Sequence, residues 1–135
     1  MINEFLFVYG TLLDVDNEFG RYLNNNAIII GTGRFKGRLF DIGEYPGAII
    51  DTENGYPITG SICKLNNTEA LKVLDDYEGF GPHQDQPNLF TRKLLPVETS
   101  DGVVDCWGYL YNLPIDGLAE IFSGDYLYFV DQKKC

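Results

Sequence analysis

Two short stretches of the chain carry residue types and spacings suited to chemistry. The first is Tyr9-Gly10-Thr11-Leu12, placed directly after the apolar run Phe5 to Tyr9. A strand running into Gly-Thr exposes consecutive backbone N–H groups, which form a concave nest for an anion such as a carboxylate. Gly10 permits close approach and Thr11 adds a hydroxyl donor. The second is Asp75-Asp76-Tyr77-Glu78-Gly79, three acids at the end of a predicted helix. Acids there face the negative end of the helix dipole, at a cost of about 0.3–1 kcal/mol each. They also repel one another, which favours a proton on the least solvated of them. Glu78, flanked by Tyr77 and Phe80, is the candidate general acid/base. Both stretches have plainer accounts that are the commoner fates of such residues: a strand-ending turn and a solvated helix end.

Other chemistries lack their residues. The single histidine, His83, sits in a polar loop, and no G-x-S-x-G elbow accompanies it, so a Ser-His or Cys-His mechanism has no support. Cys63, Cys106 and Cys135 are odd in number and far apart, which fits neither a disulfide framework nor a zinc site. No cluster has metal-ligand spacing, and no metal or cofactor is expected. Gly31-Thr32-Gly33 with Gly37 is not a dinucleotide fingerprint, because strand-like residues follow it. Tyr45-Pro46-Gly47 reads as a structural corner. Arg92 and Lys93 point to opposite faces of a predicted strand; the inward one suits a carboxylate partner, although an outward basic residue on the sheet surface is the simpler account of either.

The elements that must position these residues follow from pattern. With 135 residues the chain is read as one domain, 1–135, long enough to bury a core. Aromatics at 14 % exclude disorder, and 15 Gly with 6 Pro suit a strand-rich fold better than a helical bundle. A formal charge of −10 disfavours nucleic acid and anionic membrane surfaces as partners. No apolar run approaches the roughly 20 residues of a membrane span, and the N-terminus lacks a basic n-region. Unpaired cysteines fit a reducing, cytoplasmic setting, with Cys63 and Cys106 as core residues.

Strands are expected at Phe5 to Tyr9, Ala27 to Gly33, Phe35 to Asp41, Gly47 to Asp51, Ile58 to Leu65, Leu89 to Thr99 and Val103 to Asn112. Most of them look buried. Ser100-Asp101-Gly102 predicts a hairpin between the last two. Helices are expected at Asp16 to Leu23, ending at Asn24-Asn25-Asn26 and a turn, and at Asn67 to Tyr77, with Asn66 as cap, Glu69 in the capping-box position and Gly79 past the end. Helical spacing recurs at Leu118, Ile121 and Phe122. The sum is an α+β domain of six or seven strands with two or three short flanking helices, and closure into a small mixed β-barrel would remove the exposed edges.

Taken in order, these blocks resemble the γ-glutamylcyclotransferase-like (AIG2-like) family. Tyr9-Gly10-Thr11-Leu12 is similar to its YG[ST]L signature. Gly37 to Gly43 with Tyr45-Pro46-Gly47 resembles its G-x-L-x-x-x-G…YPG segment, and Leu74 to Gly79 its L-D-x-x-E-G helix end. Trp107 to Tyr111 and Ser123-Gly124-Asp125-Tyr126 complete a set running from Val8 to Tyr126. The resemblance implies a barrel with one pocket and a small-molecule γ-glutamyl substrate. Tyr9, Gly10, Thr11 and Leu12 would bind the substrate's α-carboxylate, and Glu78 would be the catalytic acid/base. The implied reaction closes the γ-glutamyl group on its own amine and releases 5-oxoproline, with no cofactor. Where the family often carries a Tyr before Arg92, Phe90 stands nearest, and 81–88 is a long polar loop after Glu78.

Two other functions share the same residues. A non-catalytic module on this barrel would recognise a small carboxylate ligand or a protein partner, since a fold alone does not prove an activity. A hydrolase would use Glu78 to activate water and release glutamate. Neither the leaving amine nor the oligomeric state is legible.

Overall fold

The structure, a computed structural model, describes residues 4–9, 18–42, 46–67, 69–77, 80–82, 86–126 and 129. Its elements run β1 (Phe5–Val8), α1 (Glu18–Asn26), β2 (Ala27–Asp41), β3 (Pro46–Ile50), β4 (Tyr56–Leu65), α2 (Glu69–Tyr77), β5 (Phe90–Thr99), β6 (Gly102–Tyr111) and β7 (Ala119–Glu120). Strands β2, β4, β1, β6 and β5 lie side by side in that order, and β5 returns to β2 at Arg34 opposite Glu98, closing a five-stranded barrel. Strands β3 and β7 extend β2 beyond the barrel. The β1–β6 pair is parallel; the other pairings are antiparallel.

The alternation of side chains along β1 shows how one apolar run serves two cores. Phe7 faces into the barrel among Phe35, Leu39, Leu95 and Val97. Leu6 and Val8 face outward, under α2, with Leu71, Leu74 and Phe90. A strand covered on both faces reads as a continuous apolar run, which is why the alternation is hidden in Phe-Leu-Phe-Val. Cys63 and Cys106 are buried and unpaired, as expected, and burial pushes both thiols up to about 11.

Several expectations need correction. The two strands expected at 27–33 and 35–41 are one strand, β2, whose register against β4 shifts between Ile29 and Gly31. Its glycines mark curvature and closure instead of a turn. A Cβ on Gly33 would lie 2.5 Å from Val97 Cγ1 and 2.8 Å from the Glu98 carbonyl oxygen, so the missing side chain lets β5 reach β2. The start of β2 is not buried: Ile28, Ile29 and Ile30 are 62, 63 and 53 % exposed. No turn separates α1 from β2, since the helix runs to Asn26 and the strand begins at Ala27. Asn67 caps α2, its Oδ1 accepting from the Ala70 N–H at 3.1 Å, so Ala70 and not Glu69 holds the third helical position. The residues with helical spacing, Leu118, Ile121 and Phe122, lie in no helix: they flank the short strand β7. Gly117, at φ +80°, turns the chain there, and the Ile121 N–H donates to the Leu39 carbonyl at 2.7 Å.

The expected hairpin is present. Thr99 pairs with Gly102, and Gly102 takes φ +123°, which a side chain would oppose. Among the described residues, no helix is long and apolar enough to cross a membrane.

Candidate functional site

Parallel pairing of β1 and β6 brings the ends of both strands to one end of the barrel. The start of β5 lies there too, because β5 runs antiparallel to β6 with Phe90 opposite Tyr111. Tyr9, the first residue after β1, is buried with its ring edge-on to Phe35. Its hydroxyl donates to the Tyr109 carbonyl on β6 and accepts from the Ala48 N–H on β3 at 3.3 Å. The phenol therefore ties β1, β3 and β6 together where the Gly10-Thr11-Leu12 segment begins. Gly47 lets β3 lie this close: a Cβ there would sit 2.9 Å from Tyr111 Cβ. The corner expected at Tyr45-Pro46-Gly47 is thus, at Gly47, a close approach between strands.

On the outer face of the barrel, Tyr109 and Arg92 are cross-strand neighbours, as are Trp107 and Leu94. The Arg92 guanidinium lies 4.4 Å from the centre of the Trp107 ring. It grips Asp75 of α2 with two bonds, Nε to Oδ1 at 2.7 Å and Nη2 to Oδ2 at 3.1 Å. The Tyr109 hydroxyl donates to the same Oδ1 at 2.8 Å. The side chains of Arg92 and Asp75 are only 19 % and 15 % exposed, so α2 shields the pair from water. A forked, charge-assisted pair of this kind fixes both distance and orientation. Past the helix end, the Phe80 N–H returns to the Asp75 carbonyl at 2.9 Å, and the Phe80 ring centre is 5.9 Å from the same guanidinium.

The acidic run therefore contains one locked carboxylate. Asp75 faces a cation and a phenol, while Asp76 is exposed. Arg92 is correspondingly not the solvated surface residue of the simpler account: it points out of the barrel but into the helix. Lys93 is exposed. Sequence reasoning offered a carboxylate partner for one of Arg92 and Lys93, as the less simple account, and did not name Asp75. Its one signal was an arginine in phase with Phe90 on a strand whose outer face is covered.

A second polar cluster was also not anticipated. Arg38 on β2 holds Glu120 on β7 with two bonds of 3.1 and 2.8 Å, and the Tyr56 hydroxyl donates to Glu120 Oε2 at 2.9 Å. The Arg38 hydrogen bonds hold the Glu120 carboxyl below the usual carboxylate range. Burial pushes the Tyr56 phenol up to about 12. These groups satisfy one another and pin β7 to the barrel.

Gly10, Thr11, Leu12, Glu78, Gly79, Tyr45 and His83 lie outside the described residues. Among the described residues, no three His, Cys, Asp or Glu side chains are grouped to hold a metal.

A closed five-stranded barrel whose first strand leads into Tyr-Gly-Thr-Leu, and whose packed helix leads into Glu-Gly, defines the γ-glutamylcyclotransferase-like class. The family model described as gamma-glutamyl cyclotransferase, AIG2-like, matches residues 6–128, and the chain belongs to that family. It is 32 % identical over 108 residues to the gamma-L-glutamyl-butirosin B gamma-glutamyl cyclotransferase of Niallia circulans, an alignment covering 79 % of this chain and 66 % of that protein. It is 31 % identical over 123 residues to the gamma-glutamylcyclotransferase family protein YtfP of Escherichia coli K12, covering 90 % of this chain and 95 % of YtfP. The crystal structure of YkqA from Bacillus subtilis matches 98 % of this chain with a TM-score of 0.74 at 26 % identity. This chain spans 43 % of YkqA, less than half its length.

Proposed function

We propose that the protein is a γ-glutamylamine cyclotransferase with Glu78 as its general acid/base. The observation that carries this reading is the family match over residues 6–128, which includes both Tyr9-Gly10-Thr11-Leu12 and Glu78. The backbone N–H groups of Gly10, Thr11 and Leu12 grip the α-carboxylate of a γ-glutamyl substrate. A local nest of donors is needed because the overall charge of −10 repels an anion. Glu78 takes a proton from the α-ammonium group. The freed amine attacks the γ-carbonyl carbon, a new C–N bond closes the five-membered lactam, and the original amide C–N bond breaks. Glu78 returns its proton to the leaving amine as the amide bond breaks. The ring nitrogen gives up its second hydrogen to that amine, so 5-oxoproline and an ammonium leave and no net proton, water or cofactor is consumed.

The chemistry suits a site with few groups. Nucleophile and electrophile belong to one molecule, and holding that molecule folded supplies much of the rate. Donors at the developing oxyanion supply more. The butirosin relative is named as a gamma-glutamyl cyclotransferase of gamma-L-glutamyl-butirosin B, which supports the reaction type and leaves the amine of this chain to be identified. Two buried thiols without disulfides suit the reducing cytoplasm, where we place the protein.

The test is to block the internal nucleophile. γ-Glutamyl amides with a free α-amine should release 5-oxoproline, and the same amides N-acetylated should be inert. Cleavage of the acetylated amides to N-acetylglutamate would establish a hydrolase instead.

A further inference from the structure

We infer that Arg92 is a positioning residue for Glu78. The inference rests on the acid/base reading of Glu78. Three observations converge on it. Arg92 grips the Asp75 carboxylate with both arms of its fork. Its guanidinium also meets the Phe80 ring, 5.9 Å away. Asp75 and Phe80 are joined by the Phe80 N–H to Asp75 carbonyl bond of 2.9 Å, and Glu78 lies between them in the sequence. One side chain therefore touches the residues on both sides of the proposed acid/base, three positions before it and two after it.

The cation itself is anchored. It stacks on Trp107 at 4.4 Å, and the Tyr109 hydroxyl shares Asp75 Oδ1 with it at 2.8 Å. Because β5 and β6 are paired throughout their length, these partners belong to the barrel wall and not to a loop. The α2 end is thus referenced to the barrel, from which the Tyr9 segment also departs. A carboxylate that must reach an amine held by that segment needs this kind of shared frame, since a displacement of about 1 Å at a reacting group can cost on the order of 100-fold in rate.

Lysine keeps the charge of arginine but not the planar fork. Arg92→Lys should therefore lower kcat about 10- to 100-fold while KM changes little. Arg38→Lys is the control, because it breaks an equivalent forked pair, to Glu120, and should cost comparable stability while leaving kcat in place. A fall in kcat shared equally by both variants would assign Arg92 a merely structural role and overturn the inference. So would an Arg92→Lys variant with unchanged kcat, or one with raised KM and unchanged kcat, which would mean a substrate contact. The second readout does not depend on turnover: the Glu78 side-chain carboxyl is followed by carbon NMR as pH is varied. Its titration should move in Arg92→Lys and stay in Arg38→Lys. An unmoved titration overturns the positioning role, whereas a moved titration in a protein that releases no 5-oxoproline upholds it and removes the cyclotransferase reading alone.

Discussion

Tyr109 joins the inside of the barrel to its outer layer. Its carbonyl accepts the Tyr9 hydroxyl, and its own hydroxyl donates to Asp75 at 2.8 Å. The two stretches that carry chemistry in the sequence are 66 positions apart at Tyr9 and Asp75, and this one residue touches both. Tyr9 and Asp75 are therefore both tied to β6, one on the inner face of the barrel wall and the other on its outer face.

Removing the Tyr9 hydroxyl leaves the buried Ala48 N–H without this acceptor. Tyr9→Phe should destabilise the protein by about 1–3 kcal/mol, the usual cost of stranding a buried donor. Urea unfolding reads this as a lower midpoint at unchanged slope. If that segment binds the substrate carboxylate as proposed, KM should rise more than kcat falls, because the segment loses its anchor.

Barrel closure depends on a missing side chain. Gly33→Ala places a methyl 2.5 Å from Val97 Cγ1 and 2.8 Å from a backbone carbonyl that belongs to the seam. It should cost about 1–3 kcal/mol, as overpacking does. Gly31→Ala meets nothing within 4 Å and should be neutral or slightly stabilising in thermal unfolding. Equal losses at both positions would contradict the seam.

The Glu120 cluster sets an acid dependence. Hydrogen bonds from Arg38 lower the carboxyl below its unfolded value, with burial opposing and Tyr56 adding to the lowering. A depressed folded-state pKa contributes stability above the unfolded value, about 4.3, and that stability is lost as pH falls through the folded value. Glu120→Gln should therefore unfold with a shallower dependence on pH across the acidic range, measured by urea unfolding at successive pH values.

Much of this was legible in the sequence where local pattern decides. The helix before Tyr77 (though its cap is Asn67 and not Asn66), the Asp-Gly hairpin and the strand entering Gly10 each depend on a few adjacent residues. Elements fixed by distant partners were not legible. Gly31, Gly33 and Gly37 look like punctuation until β5 is seen lying against Gly33. Leu118, Ile121 and Phe122 have helical spacing, yet Ile121 bonds to Leu39 across the barrel. Arg92 and Asp75 are 17 positions apart, and nothing local says that β5 passes beneath α2. The order of the motifs supplied what periodicity could not, since it pointed to the barrel before any pairing was known.

The central claim is tested most directly by product. Wild-type protein and Glu78→Gln, which keeps the shape and removes the base, are incubated with a panel of γ-glutamyl amines and peptides, and 5-oxoproline and free glutamate are scored by mass. The account predicts 5-oxoproline from wild type on at least one amine, with release abolished or nearly so in Glu78→Gln. Glutamate in its place, undiminished 5-oxoproline from Glu78→Gln, or silence from folded wild-type protein across the panel would contradict it.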